Sequence, residues 1–230
     1  MVASSVLTLA FTGLVILMAH PRLYWGVVGN DLTPSLLELP ISKNYHHGGW
    51  VKITPIFEGK PDSPVSGVRR IALFNKNGWG RSLHFLAAWF LVSTGGVYVL
   101  AGIATGHFWR NLMPRARELT PRSILADLID HAHLRIAPTN GGPPYGTLQK
   151  LAYCGVTFVA VPMMVVTGLS MAPALTAACP WLSDVFGGSQ SARTIHFFIF
   201  GAIVLFVGAH VFMVILSGFK TQMRAMIGGQ

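Results

Sequence analysis

The chain has 230 residues, of which 52% are hydrophobic and only 11% charged, and its mean hydropathy is +0.53. A soluble domain carries about 25% charged residues, so this composition argues against a soluble enzyme and for a membrane protein. The net charge is +9, from 17 Lys and Arg against 8 Asp and Glu. The basic residues lie between apolar runs, with no stripe interleaved with aromatics. We read them as membrane-edge anchors and assign no nucleic-acid partner.

In chain order, the first apolar run is Val2–Ala19, which carries no charge. It lacks a basic n-region and an Ala-x-Ala cleavage site, so it reads as a retained signal anchor. Residues 21–81 form a long irregular loop rich in Pro, Gly and aromatics, too long for a simple turn and expected to pack against something. The second run is Leu83–Ala104. Residues 105–147 begin with Arg110, Arg115 and Arg117 and end in Gly141-Gly142-Pro143-Pro144, and Pro121–Arg135 between them reads as a short amphipathic interfacial helix. The third run is about Leu151–Ala172, then a shorter loop closed by Gly187-Gly188, then the fourth run, Ile195–Phe219.

Each run is near the roughly 20 residues a helix needs to cross a bilayer. The expected fold is therefore all-α: an integral membrane four-helix bundle with a long irregular loop between helices 1 and 2. We expect one membrane domain over residues 1–230, with helices at about 2–20, 82–104, 148–172 and 194–219. Most basic residues on the side of loop 21–81 sit in that one long loop, where charge counts for less, so loop 105–147 is assigned to the cytoplasm. Cys154 and Cys179 form no C-x-x-C or C-x-x-C-H, which sets aside covalently attached haem and iron–sulfur clusters.

Ionisable residues inside membrane helices are costly and point to function. Three histidines lie in the runs: His84, His196 and His210. His196 and His210 are 14 residues apart on the fourth helix, which puts them within about 40° of one face and about 21 Å apart along the axis. Helices 2 and 4 start on the same side, so His84 and His196 enter at similar depth and can face each other. A pair of imidazoles on opposing helices is what axial ligation of a b-type haem needs. His210, at a second level, suits a second haem. Arg81-Ser-Leu-His84 and Arg193-Thr-Ile-His196 repeat one R-x-x-H pattern. Each Arg stands one turn before its His, where it can pair with haem propionates. Gly13, Gly95, Gly96, Gly201 and Gly208 punctuate the helices. They allow a flat macrocycle or a neighbouring helix to approach closely.

The blander readings are these. His20 and His107 sit at helix ends as interfacial residues, His131 and His133 as a surface pair, and His46-His47 in a loop. R-x-x-H alone is also what a snorkelling anchor leaves. A zinc site needs three or four converging ligands, which a 14-residue spacing does not supply. A proton-conducting transporter would use Asp or Glu within the helices, and none is there. A haem-free membrane anchor is the other alternative, and a visible spectrum separates it from a cytochrome.

His210 needs a partner near the beginning of helix 1, and no histidine stands there. His20 is at the wrong end, and His107 overshoots the level of His210 by roughly 14 Å. The chain resembles, essentially end to end, the bacterial di-haem membrane cytochrome b superfamily. Its members include the cytochrome b subunits of nickel–iron hydrogenases, the gamma subunit of formate dehydrogenase and thiosulfate-reductase-type cytochromes. The matching stretches are Ala19-His-Pro-Arg-Leu-Tyr-Trp-Gly26, Gly80-Arg-Ser-Leu-His-Phe-Leu-Ala-Ala-Trp89 and Thr105-Gly-His-Phe-Trp-Arg-Asn-Leu112. Leu148-Gln-Lys-Leu-Ala-Tyr153, Val166-Thr-Gly-Leu169 and Ser191-Ala-Arg-Thr-Ile-His196 through His210 complete them. The version it is most similar to accompanies periplasmic molybdopterin oxidoreductases.

The resemblance implies that His84 and His196 ligate one haem b and that His210 holds a second. It implies that Arg81, Arg193, Gly13 and Gly95 line the cofactors, and that a quinone binds near the cytoplasmic-side haem, with Gly106 to Arg110 as candidates. It places the His210 partner 14 residues before the glycine matching Gly13, two positions ahead of Met1. We therefore expect the protein to begin further upstream, with an in-frame His codon two before Met1. The implied role is a multi-pass subunit of the bacterial inner membrane, passing electrons between the quinone pool and a periplasmic oxidoreductase, and not an enzyme by itself.

Overall fold

A computed structural model of the chain describes residues 2–30, 33–39, 41, 77–132 and 146–216. Most of the expected loop before helix 2, with His46 and His47, lies outside the described residues. So do His133, the Gly141–Pro144 turn and the chain beyond Leu216. The described elements are α1 (Val2–Ala19), β1 (Arg22–Leu23), β2 (Leu37–Glu38), α2 (Asn77–Ala104), α3 (Pro121–Ala132), α4 (Thr147–Gly155), α5 (Val161–Leu169), α6 (Pro173–Ala178), α7 (Trp181–Asp184) and α8 (Ser189–Leu216). Among the described residues four stretches are long and apolar enough to cross a membrane: Val2–Ala19, Gly78–Ala104, Thr147–Leu169 and Ser189–Leu216. Large apolar side chains point outward along them, Leu7 and Leu100 at 69% exposure and Leu205 at 75%. Lipid accepts such surface, and the helix satisfies its own backbone polar groups. The chain divides into two packed units, Met1–Val99 with Val165–Phe197 and Leu100–Met164 with Phe198–Gln230.

In the first unit, α1 and α2 approach closely where Val15 meets Gly80. A Cβ on Gly80 would lie 3.1 Å from Val15 Cγ1, so a small residue sets the separation. Phe11 stacks on Trp79 in the same seam, with centroids 6.3 Å apart. Beyond α1 the chain forms a two-stranded antiparallel ribbon that pairs Arg22 with Glu38 and Leu23 with Leu37. The all-α expectation holds, and this ribbon is a small addition within the expected loop, since two residues per strand offer no period to read. A buried ion pair closes the ribbon, Arg22 Nε donating to Glu38 Oε1 at 2.7 Å.

The segment after β1 wraps the first turn of α8. The Gly26 carbonyl accepts the Gln190 and Ser191 amides at 3.1 and 3.2 Å, and the Gly26 amide donates to Ser191 Oγ at 2.7 Å. Two of the unpaired donors of a helix N-terminus are thereby satisfied. Thr194 Oγ1 donates to the Tyr24 carbonyl at 2.6 Å, and Arg193 donates to the His20 carbonyl. With these partners α8 begins at Ser189, five residues before the expected position, and α2 likewise begins at Asn77.

In the second unit, α2 stops at Ala104 and the chain reverses through Gly106, whose φ of +67° lies in the left-handed region. A π-helical turn at Phe108–Leu112 follows. It lays the Phe108 ring over Gly102, where a Cβ would come within 2.3 Å of the ring, and edge-on to Phe158 at 5.0 Å. The third apolar stretch carries its own π-helical turn, Val156–Ala160, just before Pro162. Proline has no amide hydrogen and crowds the carbonyl four residues back, and a widened turn absorbs both. The short helix α3 falls within the amphipathic stretch Pro121–Arg135, with Leu125, Leu128 and Ile129 exposed along one side. Asp127 Oδ2 accepts the Leu148 amide at 2.6 Å and so caps the positive end of α4.

Lys150, buried at the start of α4, is held by Glu118, with Nζ 2.9 Å from Oε2. The hydrogen bond from Lys150 holds the Glu118 carboxyl below its ordinary value of 4.5. A depressed carboxylate stabilises the fold fully above its unfolded value, and the contribution disappears as pH falls through the folded value. Thermal unfolding of purified protein should therefore be insensitive to pH between about 6 and 8 through this pair and lose stability below about 4.5. In Glu118→Gln that part of the acid sensitivity should be gone. An unchanged acid profile in the variant would contradict the assignment.

Candidate metal centre

Two histidines meet in the first unit. The ring centroids of His84 on α2 and His196 on α8 are 6.5 Å apart, with planes inclined at 57°. Each imidazole is tied through Nδ1 to a threonine on an adjacent helix. Thr12 Oγ1 of α1 lies 2.9 Å from His84 Nδ1, and Thr167 Oγ1 of α5 lies 2.9 Å from His196 Nδ1. Thr12 and Thr167 are fully buried. The residue after each threonine is a glycine that faces the same ring. A Cβ on Gly13 would lie 3.5 Å from His84 Cε1, and one on Gly168 would lie 3.5 Å from His196 Cε1. The two sides of the site thus repeat one arrangement: a Thr-Gly pair on one helix serving the histidine of an Arg-x-x-His on the next.

A metal ion held between the two rings would take one nitrogen from each, and the 6.5 Å between centroids leaves room for it. With Nδ1 hydrogen-bonded, Nε2 of each ring is the atom left for a metal. Among the described residues no group of three or more His, Cys, Asp or Glu comes together. A pair of histidines could hold a haem iron, which takes its protein ligands as imidazoles in many cytochromes.

The other residues singled out in the sequence fall as follows. Gly13 is at the site. Arg193 reaches the His20 carbonyl with one guanidinium nitrogen, while Arg81 is exposed one turn before His84. Gly95 does not touch the histidines, and a Cβ there would meet nothing within 4 Å. His20 stacks on Tyr24, with centroids 5.7 Å apart. His107 lies 3.0 Å from the Asn111 side-chain nitrogen. Thr12, Thr167 and Gly168 stand at the site beside the residues the sequence singles out, and Thr-Gly does not mark them, because it also occurs at Thr94-Gly95 and Thr105-Gly106.

His210 belongs to the second unit, where its Nδ1 lies 3.2 Å from the Tyr153 hydroxyl. Tyr153 in turn accepts from Gln149 Nε2 at 3.0 Å. Phe206 stacks on the His210 ring at 6.0 Å with an angle of 16°. All three membrane histidines therefore use Nδ1 toward a hydroxyl on a neighbouring helix.

Apolar spanning helices with two facing imidazoles are what a membrane cytochrome of the b type would present. A family model described as prokaryotic cytochrome b561 matches residues 1–229. A curated relative, the putative protein-methionine-sulfoxide reductase subunit YedZ1 of Azospira oryzae, is 31% identical over 174 residues, covering 76% of this chain and 83% of the relative. No solved structure matches. The chain belongs to the prokaryotic cytochrome b561 family and is a membrane electron-transfer subunit that carries haem b.

Proposed function

We propose that this subunit passes electrons across the bacterial inner membrane between the quinone pool and a periplasmic oxidoreductase of the molybdopterin class. The observation that carries the site assignment is the His84–His196 pair, 6.5 Å apart with both Nδ1 atoms engaged. Bound there, haem b supplies a one-electron couple that moves no proton and breaks no bond. His84 and His196 hold the iron from α2 and α8. Arg81 and Arg193, each one turn before its ligand, balance the propionates, and Arg193 is set in place by the His20 carbonyl. Gly13 keeps the face beside His84 small.

His210 holds a second haem in this reading, with Tyr153 on its Nδ1 fixing the ring. The quinone binds at Gly106–Arg110, where exposed Trp109 and Arg110 follow the left-handed turn. Support for a catalytic partner comes from the relative, which is named as a reductase subunit.

The test is reduction of the haem by quinol. In membranes containing the chain, added quinol should produce the reduced b-type absorbance. If dithionite reduces the haem and quinol does not, the quinone half of the proposal is wrong.

A further inference from the structure

We propose that Thr12 and Thr167 are a matched pair of positioning residues that fix His84 and His196 as Nε2 ligands and hold down the potential of the haem between them. The inference rests on the ligand assignment above and adds to it. One hydroxyl proton decides which group donates. Thr12 Oγ1 donates to the Thr8 carbonyl at 2.7 Å, the bond a helical threonine makes to the residue four back. A hydroxyl has a single proton, so toward His84, 2.9 Å away, the same oxygen must accept. Nδ1 of His84 therefore carries the ring proton, and the lone pair lies on Nε2. The Leu9 backbone also hydrogen-bonds the His84 ring and likewise calls for a ring N–H, so α1 sets the tautomer through both groups.

Thr167 stands at the same 2.9 Å from Nδ1 of His196, followed by Gly168 as Thr12 is followed by Gly13. In the ligand assignment above Nε2 of His196 is the bound nitrogen, so its Nδ1 carries the ring proton and Thr167 Oγ1 accepts it. A hydrogen bond accepted from Nδ1–H raises the basicity of the ligating nitrogen and favours the more highly charged metal state. Two such bonds on one iron stabilise its ferric form twice. Hydroxyl acceptors are weaker than carboxylates, so they set an intermediate potential while adding no charge within the membrane.

The experiment is a potentiometric titration of the purified full chain, following the haem assigned to His84 and His196. Thr12→Val and Thr167→Val keep the side-chain shape and remove the acceptor. Each should lower the ferric-to-ferrous affinity ratio about tenfold, a rise in potential of about 59 mV for a one-electron couple. Thr12→Ser and Thr167→Ser should titrate as the wild type does. Val variants that retain haem at the wild-type potential, or Ser variants that shift as far as Val, would overturn the inference.

A second measurement needs no variant. Electron–nuclear double resonance of the oxidised wild-type protein in H2O and in D2O should show an exchangeable proton on the non-ligating nitrogen of each imidazole. Its absence would also overturn the inference. The ligand assignment fails separately, if His84→Ala or His196→Ala keeps the full haem complement.

Discussion

Replacing His196 by alanine should remove the haem held between α2 and α8. His196 is one of two side chains whose centroids stand 6.5 Å apart with Nε2 left for the metal, so the variant keeps at most one axial ligand. Loss of a mere second partner costs a metal site about 10–100-fold in affinity, and loss of the ligand itself should cost more than about 100-fold. The expected result is a reduced-minus-oxidised b-type signal that falls by about half if the His210 haem is retained.

His84→Ala should give the same spectrum, because both residues serve one iron. The double variant should be no worse than either single, the non-additivity of groups that act as a unit. His210→Ala should remove a different component. If His84→Ala and His196→Ala removed separate components, the pairing across α2 and α8 would be wrong even with haem present.

Gly188→Ala should unseat the first turn of α8 and, with it, the ligand two turns further on. Gly188 has φ of +115°, where an L side chain is strained, and a Cβ there would lie 2.5 Å from the Gly26 carbonyl oxygen. That oxygen is the acceptor for the Gln190 and Ser191 amides. The clash therefore falls on backbone, which cannot swing aside as a side-chain tip would. Strain and overpacking together should cost about 2–4 kcal/mol. In detergent this should appear as a lower unfolding temperature and a smaller haem yield.

Gly78→Ala is the control. It lies in α2, a Cβ there meets nothing within 4 Å, and alanine is the better helix former. Equal losses in both variants would mean that glycine content and not the Gly26–Gly188 contact decides the outcome.

The four spanning helices were legible because an uncharged run of about 20 residues has few alternatives. The histidines were legible for a related reason: so few polar groups enter the runs that each can be considered singly. The helix starts were not. Asn77–Arg81 and Ser189–Arg193 are polar, and in α8 the helical state of those residues is supported by partners from residues 20–26, far away in sequence. The ribbon pairing Arg22 with Glu38 is likewise a tertiary product. Thr12 and Thr167 were not legible as site residues because a threonine in a membrane helix ordinarily bonds only its own backbone. Which histidine it also meets depends on the register between helices, which periodicity within one helix does not reveal. Thr-Gly also occurs at Thr94-Gly95 and Thr105-Gly106, so the dipeptide alone does not mark the two that face a histidine.

The most direct test of the whole account is a visible and electron paramagnetic resonance spectrum of the purified, oxidised and then reduced wild-type protein. The account predicts a b-type difference spectrum and a low-spin ferric signal from two imidazole ligands. A protein without haem, or one whose haem is high-spin with a single axial ligand, would contradict it.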